Sequence, residues 1–298
     1  MEKAYTFQSS QNNLLGILHE PDTNPRETGI LVIVGGPQTR VGSHRQFVLL
    51  ARALCAQGYS VFRFDYSGMG DSEGNKANFL DASHDIGEAI NEFTKVCPAI
   101  KNVVLWGLCD AASLSLLYVN ATEDSRVKGL VLLNPWVRQE ASEAETYVKH
   151  YYLKRITNPD LWKKFIKPDK ELIRSIRDFV VMLFGVVKNK IVSKIQPNTS
   201  EVSQENKNVW PTYTDENYVD AMHQGLSKFD GYVSLILSGN DMTADEFRSL
   251  TKQSKQWKAL LGRKGVTPTI FEDSNHTFSS ARWRKEVELA TLKFLNQL

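Results

Sequence analysis

Apolar residues recur along this chain in short unbroken runs, and segments of helical period separate the runs. Gly29–Val34 (GILVIV), Ser60–Phe64 (SVFRF), Asn102–Gly107 (NVVLWG), Val127–Leu133 (VKGLVLL), Tyr232–Ser238 (YVSLILS) and Thr267–Glu272 (TPTIFE) read as strands. The continuous β-branched run Gly29–Val34 suits a strand covered on both faces. Between them lie amphipathic stretches. Arg45–Gln57 puts Phe47, Leu50, Ala51 and Leu54 on one face, and Ser83–Val96 does the same with Ile86, Ala89, Ile90 and Phe93. Further helices are expected over Asp110–Ala121, Ala244–Leu261 and Ala281–Leu298. Two short strands, Tyr5–Gln8 and Leu14–His19, precede the series and turn at Ser9–Asn13. Regular alternation of strand and helix predicts an α/β protein with a mostly parallel, doubly wound sheet.

The alternation stops after Pro135 and resumes at Tyr232. Residues 137–219 are rich in aromatics and lysine, with helical periodicity over Thr146–Arg155, Pro159–Phe165 and Lys170–Ile195 and a polar stretch at Gln196–Tyr213. We read 1–136 and 220–298 as one core domain and 137–219 as a helical cap inserted into it. Trp136, Tyr147, Tyr151, Trp162, Phe165 and the apolar run Phe179–Val187 would then line an apolar pocket or pack the cap onto the sheet domain.

Composition narrows the partners. The chain has 298 residues, 36 basic against 34 acidic and a net charge of +2, which argues against nucleic acid as the main partner. Three cysteines at wide spacing form neither a disulfide framework nor a zinc pattern, so a reducing, cytoplasmic setting fits and no metal or cofactor is expected. The first residues are polar, without the apolar segment of a signal peptide, and the longest apolar run is too short to span a bilayer. Nothing in the composition speaks to oligomeric state.

The chemistry centres on Val103–Ser113 (VVLWGLCDAAS), where a buried strand breaks at Gly107 and re-enters a helix. That is the pattern of a nucleophile elbow, with Cys109 in place of the usual serine and Ala111 in place of the final glycine. The competing reading is a buried cysteine at an ordinary strand–helix junction. A cysteine nucleophile needs a base, and the base needs an orienting carboxylate. Of six histidines, His276 alone directly follows the last strand (DSNHTFS), at the edge of the sheet where ligands bind in open α/β folds. The acid should follow Tyr232–Ser238; Asp241 is favoured over Asp245, which is placed to complement a helix dipole. The oxyanion hole needs two backbone N–H groups. Asp110 supplies one, and the loop after Gly29–Val34 supplies the other from Gly36 or Gln38, with Gly36 favoured and Pro37 excluded because it has no N–H. The Asp110 side chain is expected to be structural and to point away from the base. Gln38, His44, Arg45 and Trp136 are candidate substrate contacts. The Gly-rich turn Asp65–Gly74 (DYSGMGDSEG) lacks the lysine and spacing of a phosphate-binding loop and reads as a structured turn beside the site.

With these residues in place the chain resembles the α/β-hydrolase superfamily, through Gly35-Gly36, DYSGMGDS, GLCDA, GND and SNHTF, in the order nucleophile–acid–base. More narrowly, GGPQTRVGSHRQFVLLARALCAQGYSVFRFDYSGMGDSEG with WGLCDAAS and LVLLNPWV resembles the exosortase A system-associated hydrolases, first type. That resemblance implies an α/β-hydrolase fold with an inserted cap and a bacterial hydrolase linked to exopolysaccharide production. The cysteine nucleophile and the aromatic cap, and not the resemblance, point to a small-molecule or acyl-carrier ester or thioester as substrate. The same residues would serve an acyltransferase to a sugar hydroxyl, and a non-catalytic binding protein could keep the fold alone.

Overall fold

The computed structural model describes residues 1–138 and 210–298, so the three cap helices expected between Thr146 and Ile195 lie outside the described residues. Met1–Val137 and Trp210–Leu298 form one compact unit. Its strands are β1 (Glu2–Ser9), β2 (Asn12–His19), β3 (Thr28–Ile33), β4 (Val61–Asp65), β5 (Asn102–Leu108), β6 (Val127–Leu133), β7 (Tyr232–Ser238) and β8 (Val266–Phe271). They form a single sheet in the order β1-β2-β4-β3-β5-β6-β7-β8. β2 runs antiparallel to both of its neighbours, β1 and β4, and the remaining neighbour pairs, from β4–β3 to β7–β8, are parallel. The strand expectations hold to within a few residues.

Period-two alternation sorts each strand between two cores. Leu31, Ile33, Phe62, Phe64, Val103, Leu105, Leu130 and Leu132 face one side. There they meet α2 (Ser83–Val96), α3 (Asp110–Thr122) and α4 (Tyr218–Lys228). Ile30, Val32, Val104, Trp106, Val131 and Ile236 face the other side, against α1 (Gln46–Cys55) and α7 (Ala281–Leu295). Helix α3 is buried on all sides from Ala111 to Val119, which explains why its sequence is apolar all round instead of amphipathic.

Two expectations change. The single helix expected over Ala244–Leu261 is two, α5 (Met242–Gln253) and α6 (Lys255–Leu261). Ser254 adopts an extended backbone between them and caps α6, its hydroxyl accepting from the Trp257 N–H at 3.3 Å. Helix α4 was not expected as an element; it packs along α3, where the Gly225 Cα lies so close to the Leu116 carbonyl that a Cβ would sit 2.2 Å from it. The chain rejoins this unit at Trp210, whose indole stacks on Tyr118 with 6.2 Å between centroids. No helix among the described residues is long and apolar enough to cross a membrane.

Candidate active site

The parallel strands β5, β7 and β8 end on the same edge of the sheet, so the loops that follow them meet there. Cys109 is the single residue between β5 and α3. Its backbone has a positive φ, with φ 65° and ψ −125°, a conformation that costs a non-glycine residue energy and recurs at functional turns. Small neighbours permit the turn: a Cβ on Gly107 would lie 2.6 Å from the Ala111 backbone, so strand and helix pack with no side chain between them. The Cys109 N–H donates to the Leu133 carbonyl at 2.8 Å, and the Cys109 carbonyl accepts from Trp136 N–H at 3.3 Å and Ala112 N–H at 3.0 Å. The elbow is thereby clamped to the end of β6, and the sulfur-bearing residue sits at the amino end of a thirteen-residue helix, whose dipole favours a thiolate.

Asp241 and His276 come together. His276 Nδ1 lies 3.0 Å from Asp241 Oδ2, joining residues from the loops after β7 and β8. The same carboxylate oxygen accepts from the Ala244 N–H at 3.0 Å and so caps α5. Asp241 is 8% exposed and His276 33%, an inward acid and an outward imidazole. Burial acts to raise the Asp241 pKa. The hydrogen bond and charge of His276, with the Ala244 and Thr243 amides, outweigh it and hold the carboxyl below its ordinary value. Asp245 is instead paired with Arg248 on α5.

One residue of this site escaped the sequence reading. Asn134 directly follows β6, has φ 45° and is fully buried. Its amide donates to the His276 carbonyl at 3.1 Å and to Ser238 Oγ at 2.9 Å, and its oxygen accepts from the Ser238 N–H at 2.8 Å. Ser238 Oγ in turn donates to the Asn275 carbonyl at 2.9 Å. This network pins the histidine loop to the strand that carries the acid. The available signal was an asparagine, tolerant of the left-handed region, ending an apolar strand just before Pro135.

The oxyanion loop is less simple than expected. Gly36 (φ 60°) faces open space at its Cβ position, but its N–H donates to Asp110 Oδ2 at 2.7 Å. The favoured donor is therefore committed to a carboxylate. Gln38 N–H closes a turn on the Gly35 carbonyl at 3.3 Å. Gln38 Oε1 accepts from Ser43 N–H at 3.0 Å and Gln46 Nε2 at 3.2 Å, so that side chain braces its own loop. His44 and Arg45 are exposed, both with positive φ, and neither supplies a side-chain cap to α1. Trp136 is half-buried, and its carbonyl accepts from Ser113 Oγ at 2.6 Å. The Asp65–Ser72 turn anchors this loop: buried Asp65 pairs with Arg40, which also reaches Asp71 at 2.6 Å. Among the described residues, no group of three His, Cys, Asp or Glu could hold a metal ion.

Strand order, elbow and the aspartate–histidine pair define an α/β-hydrolase. The chain belongs to the family described as serine aminopeptidase, S33, which matches residues 26–217, although the elbow carries cysteine. No curated protein matches the sequence. Similar solved structures include the esterase Pf2001 of Pyrococcus furiosus, with a TM-score of 0.62 at 14% identity over 100% of this chain and 90% of that one. Est1E of Butyrivibrio proteoclasticus, solved with ferulic acid bound, has a TM-score of 0.59 at 14% identity over 98% and 100%. Mouse alpha/beta hydrolase domain-containing protein 10 has 0.58 at 16% over 99% of each chain. Likenesses at such identities concern the fold.

Proposed function

We propose that the protein hydrolyses an ester or thioester through an acyl-enzyme on Cys109. His276 takes the thiol proton on Nε2, the nitrogen not facing Asp241. The sulfur attacks the carbonyl carbon, and the tetrahedral oxyanion collapses, expelling an alcohol or thiol that carries away the proton from His276. Water, deprotonated by His276, then attacks the thioester and releases the acid and the Cys109 thiol. Asp241 holds the imidazole in the tautomer with its proton on Nδ1 and stabilises the imidazolium. The observation that carries this reading is the 3.0 Å His276–Asp241 pair, drawn from the two loops that follow β7 and β8, on the sheet edge where the Cys109 elbow lies.

The aromatic residues of 137–219, with Trp136, favour a modest apolar acyl group. The resemblance to exosortase-associated hydrolases favours a cytoplasmic bacterial enzyme working beside exopolysaccharide synthesis. Substitution Cys109→Ala tests the reading. Turnover of activated aryl esters should fall by at least about 10³-fold with the fold intact by circular dichroism; unchanged rates would overturn the assignment.

A further inference from the structure

The amide that an acyl-transfer site would use for its oxyanion is occupied. Asp110 Oδ2 accepts the Gly36 N–H at 2.7 Å across 74 residues of sequence. The other oxygen, Oδ1, is buried. It is packed so tightly on Gly35 that a Cβ there would lie 2.0 Å away. Glycine at 35 is thus explained by the aspartate, and the aspartate is fixed by the loop it grips. An ionised carboxylate here does two things against catalysis. It withdraws the Gly36 donor, and it sets a negative charge beside the point where the oxyanion forms.

We propose that Asp110 gates the oxyanion site: ionised, it holds the Gly36 N–H; neutral, it yields that N–H to the substrate carbonyl. This rests on the acyl-enzyme reading above. Asp110 acts through Gly36 and is a positioning residue; its proton is not consumed in the reaction. A neutral carboxyl is a weaker acceptor than a carboxylate, so the exchange of partners favours the substrate oxyanion, which carries the charge. Among the described residues, the titratable groups around Asp110 include His276, after β8, whose protonated form favours the ionised carboxylate, the Tyr66 phenol, after β4, and the thiol of its chain neighbour Cys109. Burial is the largest influence and raises the Asp110 pKa; the Gly36, Ala111 and Asp110 amides oppose it without cancelling it. The neutral form therefore persists to higher pH than for an ordinary aspartic acid.

Two measurements on the full chain test this. The first compares kcat/KM against pH for the wild type and Asp110→Asn, using an activated aryl ester. Relative to the variant, the wild type should lose activity as pH rises through the Asp110 pKa, with the ratio changing by roughly 10- to 10²-fold across the profile, within what one oxyanion donor contributes. A variant slowed by the same factor at every pH would mean a purely structural clamp and overturn the proposal. The second follows the Gly36 amide by 15N–1H spectroscopy of 15N-glycine-labelled protein in the Cys109→Ala background, assigned by the peak lost in Gly36→Ala. The resonance should titrate with a single midpoint above the ordinary aspartate value and be flat when Asp110→Asn is added. A Gly36 amide that does not move between pH 3 and 8 would overturn the proposal. Because this second experiment needs no turnover, it distinguishes failure of the gate from failure of the acyl-enzyme reading.

Discussion

Among the described residues, two sites pair a histidine and an aspartate near a nucleophile-type side chain. In one, Ser9 Oγ lies 2.8 Å from His84 Nδ1 and donates to Asp85, which also accepts from the Ser67 N–H at 2.8 Å. In the other, Asp241 holds His276 at the edge of the sheet that carries Cys109. The composition is nearly the same, and the wiring is different. In the first cluster both partners converge on a serine hydroxyl that is 1% exposed, in the regular backbone of β1. Its hydrogen bonds are spent joining the first hairpin to α2. In the second, the acid grips only the histidine and a helix cap, and the cysteine stands on a strained turn at a helix amino end. What separates the proposed triad from a structural clasp is which partner the aspartate grips and the sheet edge on which the pair falls.

Substitution of the acids should separate the clusters most widely. Asp241→Asn should lower kcat by about 10³–10⁴-fold, because the amide favours the wrong imidazole tautomer. Asp85→Asn should leave turnover within about twofold and cost about 1–3 kcal/mol in denaturant unfolding, from a buried hydroxyl and amide left poorly paired. Equal kinetic effects in the two variants would erase the distinction. A smaller effect is expected at Asn134→Ala: kcat lower by about 10- to 10²-fold from displacement of the His276 loop, KM little changed, and stability lower by about 2 kcal/mol. Loss of stability with kcat intact would make Asn134 structural only.

The third contrast is between histidines. His19, 1% exposed in β2, accepts from Arg63 Nε at 2.9 Å. Burial first, and then the Arg63 charge, bring its pKa from 6.5 down to about 4. The folded state thus binds the proton less readily than the unfolded chain. Stability from this residue is complete above pH 6.5 and is lost as pH falls towards 4, by about 3 kcal/mol. His19→Gln should flatten that part of a urea-midpoint profile; an unchanged profile would show that His19 is not the group responsible.

Much of the fold could be read from the chain because parallel strands buried on both faces leave largely apolar runs, as at Ile30–Val34 and Gly129–Leu133. The elbow was legible because a tight strand–helix turn demands small residues on both sides of Cys109. The loops after β7 and β8 could be placed once strand order was expected. What stayed hidden is interaction across sequence distance. The Asp110–Gly36 bond depends on how β3 and β5 lie side by side, and nothing local to either residue announces it. Asn134 reads as the polar end of a strand until His276 and Ser238 are brought to it. The break at Ser254 escaped notice because no glycine or proline marks it, only a serine whose capping bond competes with the helix.

The most direct test of the account is the covalent intermediate. Protein mixed with a panel of thioesters and activated esters, acid-quenched within one turnover and weighed intact, should carry one acyl group. Peptide mapping should place it on Cys109, sensitive to hydroxylamine and absent from Cys109→Ala. Turnover in the wild type with no acyl group on Cys109, or an adduct of equal amount in Cys109→Ala, would contradict the account.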